Sequence, residues 1–149
     1  APRPGETEGV EYHFVSTARF ADLIAAGEFL EWADFAGHRY GTLRRPVLDT
    51  LAAGVPALLE IDLQGARQVR AALPDAQLVF LTSPSWAELE RRLSERGTET
   101  PDRVSARLQR ARVELAARSE FDVVVCNDDA SRAAAELVQL LRHPRKGPG

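Results

Sequence analysis

Three short, nearly continuous apolar runs set the tightest limit on what this chain can fold into: Ala57-Leu58-Leu59-Glu60-Ile61-Asp62, Gln77-Leu78-Val79-Phe80-Leu81 and Phe121-Asp122-Val123-Val124-Val125-Cys126. A strand with one wet face alternates apolar and polar residues, whereas a strand covered on both faces reads as an unbroken apolar run. The stretches between these runs carry helical spacing, which predicts helices over 46–53, 64–72, 85–96, 102–119 and about 130–142. Strands alternating with helices in this way predict an α/β fold with a thin parallel sheet covered on both sides, the doubly wound arrangement.

The chain before residue 46 follows a different pattern. Phe20, Leu23, Ile24 and Gly27 fall at helical spacing with a glycine stop, which predicts a short helix over 17–27. Residues 29–35 then alternate with period two, and 38–42 can pair back through Ala36-Gly37, so a small β hairpin is expected ahead of the α/β core.

Composition narrows the function classes. The chain has 149 residues, 44% of them hydrophobic, enough for one domain with a core that needs no disulfide or structural metal. A lone Cys126 excludes an internal disulfide and a Cys-rich zinc site, and His13, His38 and His143 have no ligand spacing. No apolar run reaches the length of a membrane span, and the first residues lack the apolar core of a signal peptide, so a cytoplasmic protein with no membrane partner is expected. A net charge of -3 argues against a general nucleic-acid surface. The basic residues are 18 arginines and one lysine, Lys146, which lies in a Pro/Gly tail. A phosphate loop of the G-x-x-x-x-G-K-[ST] type needs a lysine within it, and no such loop is present in the sequence.

Two groups of residues could carry chemistry. Glu60 and Asp62 end an apolar run at i, i+2 spacing, which would put two carboxylates on one face at the carboxyl end of a parallel strand, where open α/β sheets bind ligands. The spacing leaves open whether they serve a magnesium ion or merely cap the helix that follows. Residues 88–112 hold seven arginines against five acids around a Gly97-Thr98-Glu99-Thr100 turn. Guanidinium groups bind phosphate through paired donors and could close over a polyphosphate. The same residues could also lace a solvated helix face through pairs such as Glu88–Arg92 and Glu99–Arg103. Tyr12 and Tyr40, the two tyrosines, together with Arg3, Glu31 and Thr42, complete the candidates.

Taken together, these residues resemble the guanylate kinase family. The landmarks are Arg3-Pro4-Gly5-Glu6 with Gly9, Tyr12 and Phe14-Val15-Ser16; Gly27-Glu28-Phe29-Leu30-Glu31-Trp32-Ala33; Tyr40-Gly41-Thr42; Leu59-Glu60-Ile61-Asp62 with Gln64-Gly65-Ala66; Arg96-Gly97-Thr98-Glu99-Thr100; and Cys126-Asn127-Asp128-Asp129. They follow the family's order from residue 1 to about 142. The resemblance implies a three-layer, P-loop nucleoside-monophosphate-kinase-like parallel sheet with a small β insertion for GMP and an Arg-rich helical lid. It implies that Arg3, Tyr12 and Tyr40 hold the GMP phosphate and that Glu31, Thr42 and Glu60 read the guanine. Arg92, Arg96 and Arg107 would contact the transferring phosphates, Asn127 would lie near the adenine of ATP, and Asp62 would support Mg2+ through water. Guanine chemistry fits these side chains. Its N1-H and N2-H2 form an adjacent donor pair for a carboxylate, and its O6 can accept from a hydroxyl.

The family pattern opens with a strand, a Gly-rich phosphate loop and a helix that this sequence does not contain. The sequence is therefore expected to be a fragment of a guanylate kinase with little activity alone, and its sheet to show a vacant central position. Residues 1–45 are assigned to the GMP-binding region, 46–90 to the core, 91–112 to the lid and following helix, 113–142 again to the core, and 143–149 to a disordered tail. The alternative from another class is the non-catalytic guanylate-kinase-like module of scaffold proteins, and a third reading is a related kinase with another base preference.

Overall fold

The computed structural model describes residues 5–10, 12–35, 37–94 and 101–144. The chain divides into two compact units, residues 1–57 and 58–149, each with its own architecture.

In the first unit, helix α1 spans Thr17–Ala25 and is capped by the Ser16 hydroxyl, which accepts from the Arg19 N–H at 3.1 Å. It ends in a Schellman motif: Gly27 N–H donates to the Ile24 carbonyl and Glu28 N–H to the Leu23 carbonyl. Gly27 takes the left-handed conformation this motif needs, with φ of 67°. The chain then enters strand β1, Phe29–Phe35, which pairs antiparallel with β2, His38–Leu43. The register sets Glu31 against Thr42, Trp32 against Gly41 and Ala33 against Tyr40, with an irregularity between Phe29 and Glu31. Gly41 has no room for a side chain, because a Cβ there would lie 2.8 Å from the Phe29 ring and 2.9 Å from the Glu31 carbonyl oxygen. Phe29 instead stacks on Phe20 of α1, ring centroids 4.5 Å apart, and both are buried. Helix α2, Arg44–Ala52, follows directly and buries Val47.

The second unit contains α3 (Leu63–Ala72), β3 (Val79–Thr82), α4 (Trp86–Ser94), α5 (Pro101–Ala116), a 3-10 turn at Arg118–Glu120, β4 (Val123–Cys126) and α6 (Ala130–Arg142). Strands β3 and β4 pair in parallel, Val79 with Val123 through Thr82 with Cys126. Val125 is completely buried and packs with Ala133 and Leu140 of α6, with Val79, Val123 and Leu137 against them. A bracket beneath the ladder fixes its register: the Asp122 carboxylate accepts from the Leu78 N–H and from Arg70 of α3, both at 2.7 Å. Arg67 of α3 forms a two-pronged pair with Glu120, at 2.6 and 2.7 Å.

The α/β class and parallel pairing agree with the sequence reading, and one strand does not. Residues 57–62, expected as the first strand of the sheet, join no ladder among the described residues, and Leu58 is 68% exposed. An apolar run records a tendency to be covered, but a strand also needs a neighbour for its N–H and C=O groups, and among the described residues of this unit β3 and β4 pair with one another and not with 57–62. The third strand starts at Val123, two residues later than expected, because Asp122 is used as the bracket. The tail expected from His143 lies outside the described residues beyond Pro144, as does the turn at 97–100.

Candidate functional site

Glu31 is the polar residue that the fold treats most unusually. It sits in the middle of β1 with 6% of its surface exposed, in a row of otherwise apolar buried positions. A buried carboxylate is costly unless hydrogen-bonded. Its partner among the described residues is the Thr42 hydroxyl, directly opposite in the hairpin register, which donates to Glu31 Oε1 at 2.5 Å. A carboxylate can accept about four hydrogen bonds, so most of this one's capacity remains for donors from elsewhere.

The loop leading to α1 positions the two tyrosines. Gly9, with φ of 76°, lets the chain turn so that its N–H donates to the Tyr12 carbonyl at 2.8 Å. Glu8 braces the same turn, accepting from the Phe14 N–H at 2.7 Å and from His13 Nδ1 at 3.1 Å. These contacts, the Phe14 amide first and His13 next, hold the Glu8 carboxyl below the ordinary carboxylate range. The Tyr12 ring meets Tyr40 of β2 edge-on at 5.7 Å and lies 6.2 Å from Phe14, so the two candidate phosphate-binding tyrosines are neighbours. Arg3 lies outside the described residues.

In the second unit the candidates fall into two clusters. Glu88 of α4 accepts both prongs of Arg91, at 2.7 and 2.9 Å, and Arg92 Nε at 2.6 Å. These two guanidinium groups, Arg91 ahead of Arg92, pull the Glu88 carboxyl down to about 2. Arg92 also reaches across to the loop after β4, where its Nη1 donates to the Asn127 carbonyl at 3.1 Å. The structure thus brings together a residue expected at the phosphates and one expected at the adenine. The same loop is braced by Arg132, which pairs with Asp128 and donates to the Cys126 carbonyl at 3.1 Å.

The other cluster centres on Asp62. Its Oδ1 caps α3, accepting from the Gly65 N–H at 2.9 Å, and its Oδ2 accepts from Arg110 of α5 at 2.7 Å. Capping was one of the two roles the spacing allowed, and the structure shows it. The sequence reading counts Arg110 among the seven arginines of 88–112 but does not pair it with Asp62, 48 residues away. Arg107 is half-buried, Glu60 is exposed, and Arg96 lies outside the described residues. Glu88–Arg92, expected as a surface pair, forms and recruits Arg91 as well. Among the described residues no group of three or more His, Cys, Asp or Glu side chains is placed to hold a metal, and no helix is long and apolar enough to cross a membrane.

One unit with a buried acceptor in a hairpin and another of parallel α/β build rich in arginine have the makings of a nucleotide kinase, and similarity to known proteins narrows that class. The crystal structure of guanylate kinase from Anaplasma phagocytophilum superposes with a TM-score of 0.79 at 34% identity, covering 95% of this chain and 69% of that one. Guanylate kinase from Frankia casuarinae is 63% identical over 140 residues, 94% of this chain and 76% of the relative. Guanylate kinase from Thermobifida fusca is 61% identical over 143 residues, 96% of this chain and 73% of the relative. The guanylate kinase family model matches residues 1–144. The chain belongs to the guanylate kinase family. Relatives this similar favour the enzyme over the scaffold module.

Proposed function

We propose that the chain's first unit recognises GMP, with Glu31 accepting N1-H and N2-H2 of guanine and the Thr42 hydroxyl serving O6. The observation that carries this is the burial of a carboxylate whose described partner is a single hydroxyl. Guanine offers the paired donors such a group lacks, while adenine would set a lone pair against it. In the absence of nucleotide the Thr42 proton is directed to Glu31, so on binding the purine donors replace it there and the hydroxyl turns to O6. Tyr12 and Tyr40 donate their phenolic protons to the GMP phosphate, joined by Arg3, and the resemblance assigns Glu60 to guanine as well.

The second unit serves ATP. Asn127 lies along the adenine, and Arg92, Arg96 and Arg107 neutralise charge on the phosphates in transit. A phosphate oxygen of GMP attacks the γ-phosphorus of ATP in line, the bond to the β-phosphate oxygen breaks, and GDP and ADP leave. The attacking oxygen is already anionic at neutral pH, so no general base is required. Asp62 fits Mg2+ carried by the nucleotide: such ions keep several waters and take one or two carboxylates beside the phosphates, and Asp62 keeps acceptor capacity beyond Gly65 and Arg110. The ion supplies charge neutralisation on the phosphates. We place this work in the cytoplasm, where both nucleotides are found.

Calorimetric titration of GMP, with AMP as control, tests the reading. Selective heat from GMP that disappears in Glu31→Gln is the expected result, and equal binding of both nucleotides would overturn it.

A further inference from the structure

We propose that Arg110 is a positioning residue for phosphoryl transfer, fixing the Asp62 carboxylate at the start of α3 from its place on the arginine-rich α5. The inference rests on the assignment of Asp62 to the magnesium-bearing side of the site and adds a residue that the resemblance does not name. Each oxygen of Asp62 has its own donor from a different element: Gly65 N–H on Oδ1 at 2.9 Å, and Arg110 Nη2 on Oδ2 at 2.7 Å. Two donors on two oxygens hold a carboxylate against rotation about its terminal torsion, as one donor does not. Arg110 is held in turn, since its Nε donates to Glu114 Oε1 at 3.0 Å one turn along α5.

The pair differs from a helix-face ion pair in reach and setting. Arg110 and Asp62 are 48 residues apart, and their side chains are 37% and 22% exposed. A guanidinium keeps its charge at every working pH, so the contact persists wherever the enzyme acts. Arg107 lies one turn before Arg110 on the same face of α5. Arg110 thus links the arginine-bearing helix α5 to the carboxylate at the start of α3.

The test is a double-mutant cycle in the full-length kinase that carries this sequence, with an exchange readout. Arg110→Ala is expected to lower kcat roughly tenfold while leaving KM for GMP within about twofold, the size usual for residues that orient a metal-site carboxylate. Arg110→Lys, which keeps the charge and one donor toward Asp62, recovers part of the loss. The Asp62→Asn, Arg110→Ala double variant is no slower than Asp62→Asn alone, because both act through one group. In nucleotide-free and metal-free protein, hydrogen exchange at the Gly65 amide rises in Arg110→Ala while that of β4 stays unchanged. Losses that multiply, or a Gly65 amide that exchanges as in the parent, overturn the proposal. A rate untouched by Asp62→Asn overturns the assignment of Asp62 and the proposal with it, whereas a slow Asp62→Asn beside a normal Arg110→Ala overturns the proposal alone.

Discussion

Glu31 in the hairpin and the arginines of α4 treat charge in opposite ways. Glu31 is 6% exposed, and its described partner is one hydroxyl. Arg91 and Arg92 lie nearer solvent, both already paired with Glu88. The first arrangement stores unmet hydrogen-bonding capacity in a rigid place, which favours one ligand pattern over another. The second holds cations in orientation with partners that a phosphate can displace, since exposed ion pairs contribute little. On the proposed reading, base selection rests on a preformed group and phosphate handling on exchangeable ones.

The largest effect that would break this comparison lies at Glu31. Replacing it by glutamine turns one oxygen into an NH2 that faces the guanine donors, and GMP binding should weaken by about 3 kcal/mol, roughly a hundredfold, with AMP unaffected. Titration calorimetry reads both, and a GMP affinity unchanged in the variant removes Glu31 from base recognition. Next comes Gly41→Ala. Its Cβ would press on the Phe29 ring and the Glu31 carbonyl, so the hairpin should lose about 1–3 kcal/mol in denaturant unfolding. Unaltered stability there would mean that Phe29 can move away, and that the setting of Glu31 is softer than described.

The same contrast decides what the sequence made legible. The hairpin could be read because its partners are close in sequence: 29–35 and 38–42 were expected, and 29–35 and 38–43 formed. Glu31 opposite Thr42 follows from that register alone. In the α/β unit the helices and the parallel sense of the sheet were legible, but which of the apolar runs pair was not. The β3–β4 ladder joins residues 44 apart, and the apolar run 57–62 has no ladder among the described residues. Periodicity carries no information about which backbone accepts which. For the same reason Glu88–Arg92, at i, i+4, was foreseen, whereas Asp62–Arg110 was not. Asp122 read as part of a strand, yet its carboxylate serves Leu78 and Arg70, a use visible only once the distant β3 is in place.

A smaller effect sharpens the comparison at Thr42. Thr42→Val keeps the shape but takes the donor from Glu31 and from guanine O6, and GMP binding should weaken by about 1 kcal/mol, or several-fold. Thr42→Ser retains the hydroxyl and should bind GMP nearly as the parent does. If valine and serine behave alike, the hydroxyl has no role and the carboxylate reads the base alone.

The smallest effect is expected at Glu88, and its direction is fixed by linkage. Arg91 and Arg92 lower its carboxyl to about 2 from an ordinary 4.5, so the folded state favours the ionised form. The stabilising contribution is complete above pH 4.5 and fades as pH falls toward 2, when the carboxylate takes up its proton. An acid titration of helix content should therefore show a loss in that window that is absent in Glu88→Gln and reduced by salt. The group is exposed, so the loss is slight. That slightness is the functional point: a pair with so little to lose can exchange Glu88 for a phosphate on Arg92 without unfolding α4. An acid-induced loss that persists in Glu88→Gln would show that other carboxylates hold this helix, and Arg92 would then need a different explanation for its readiness.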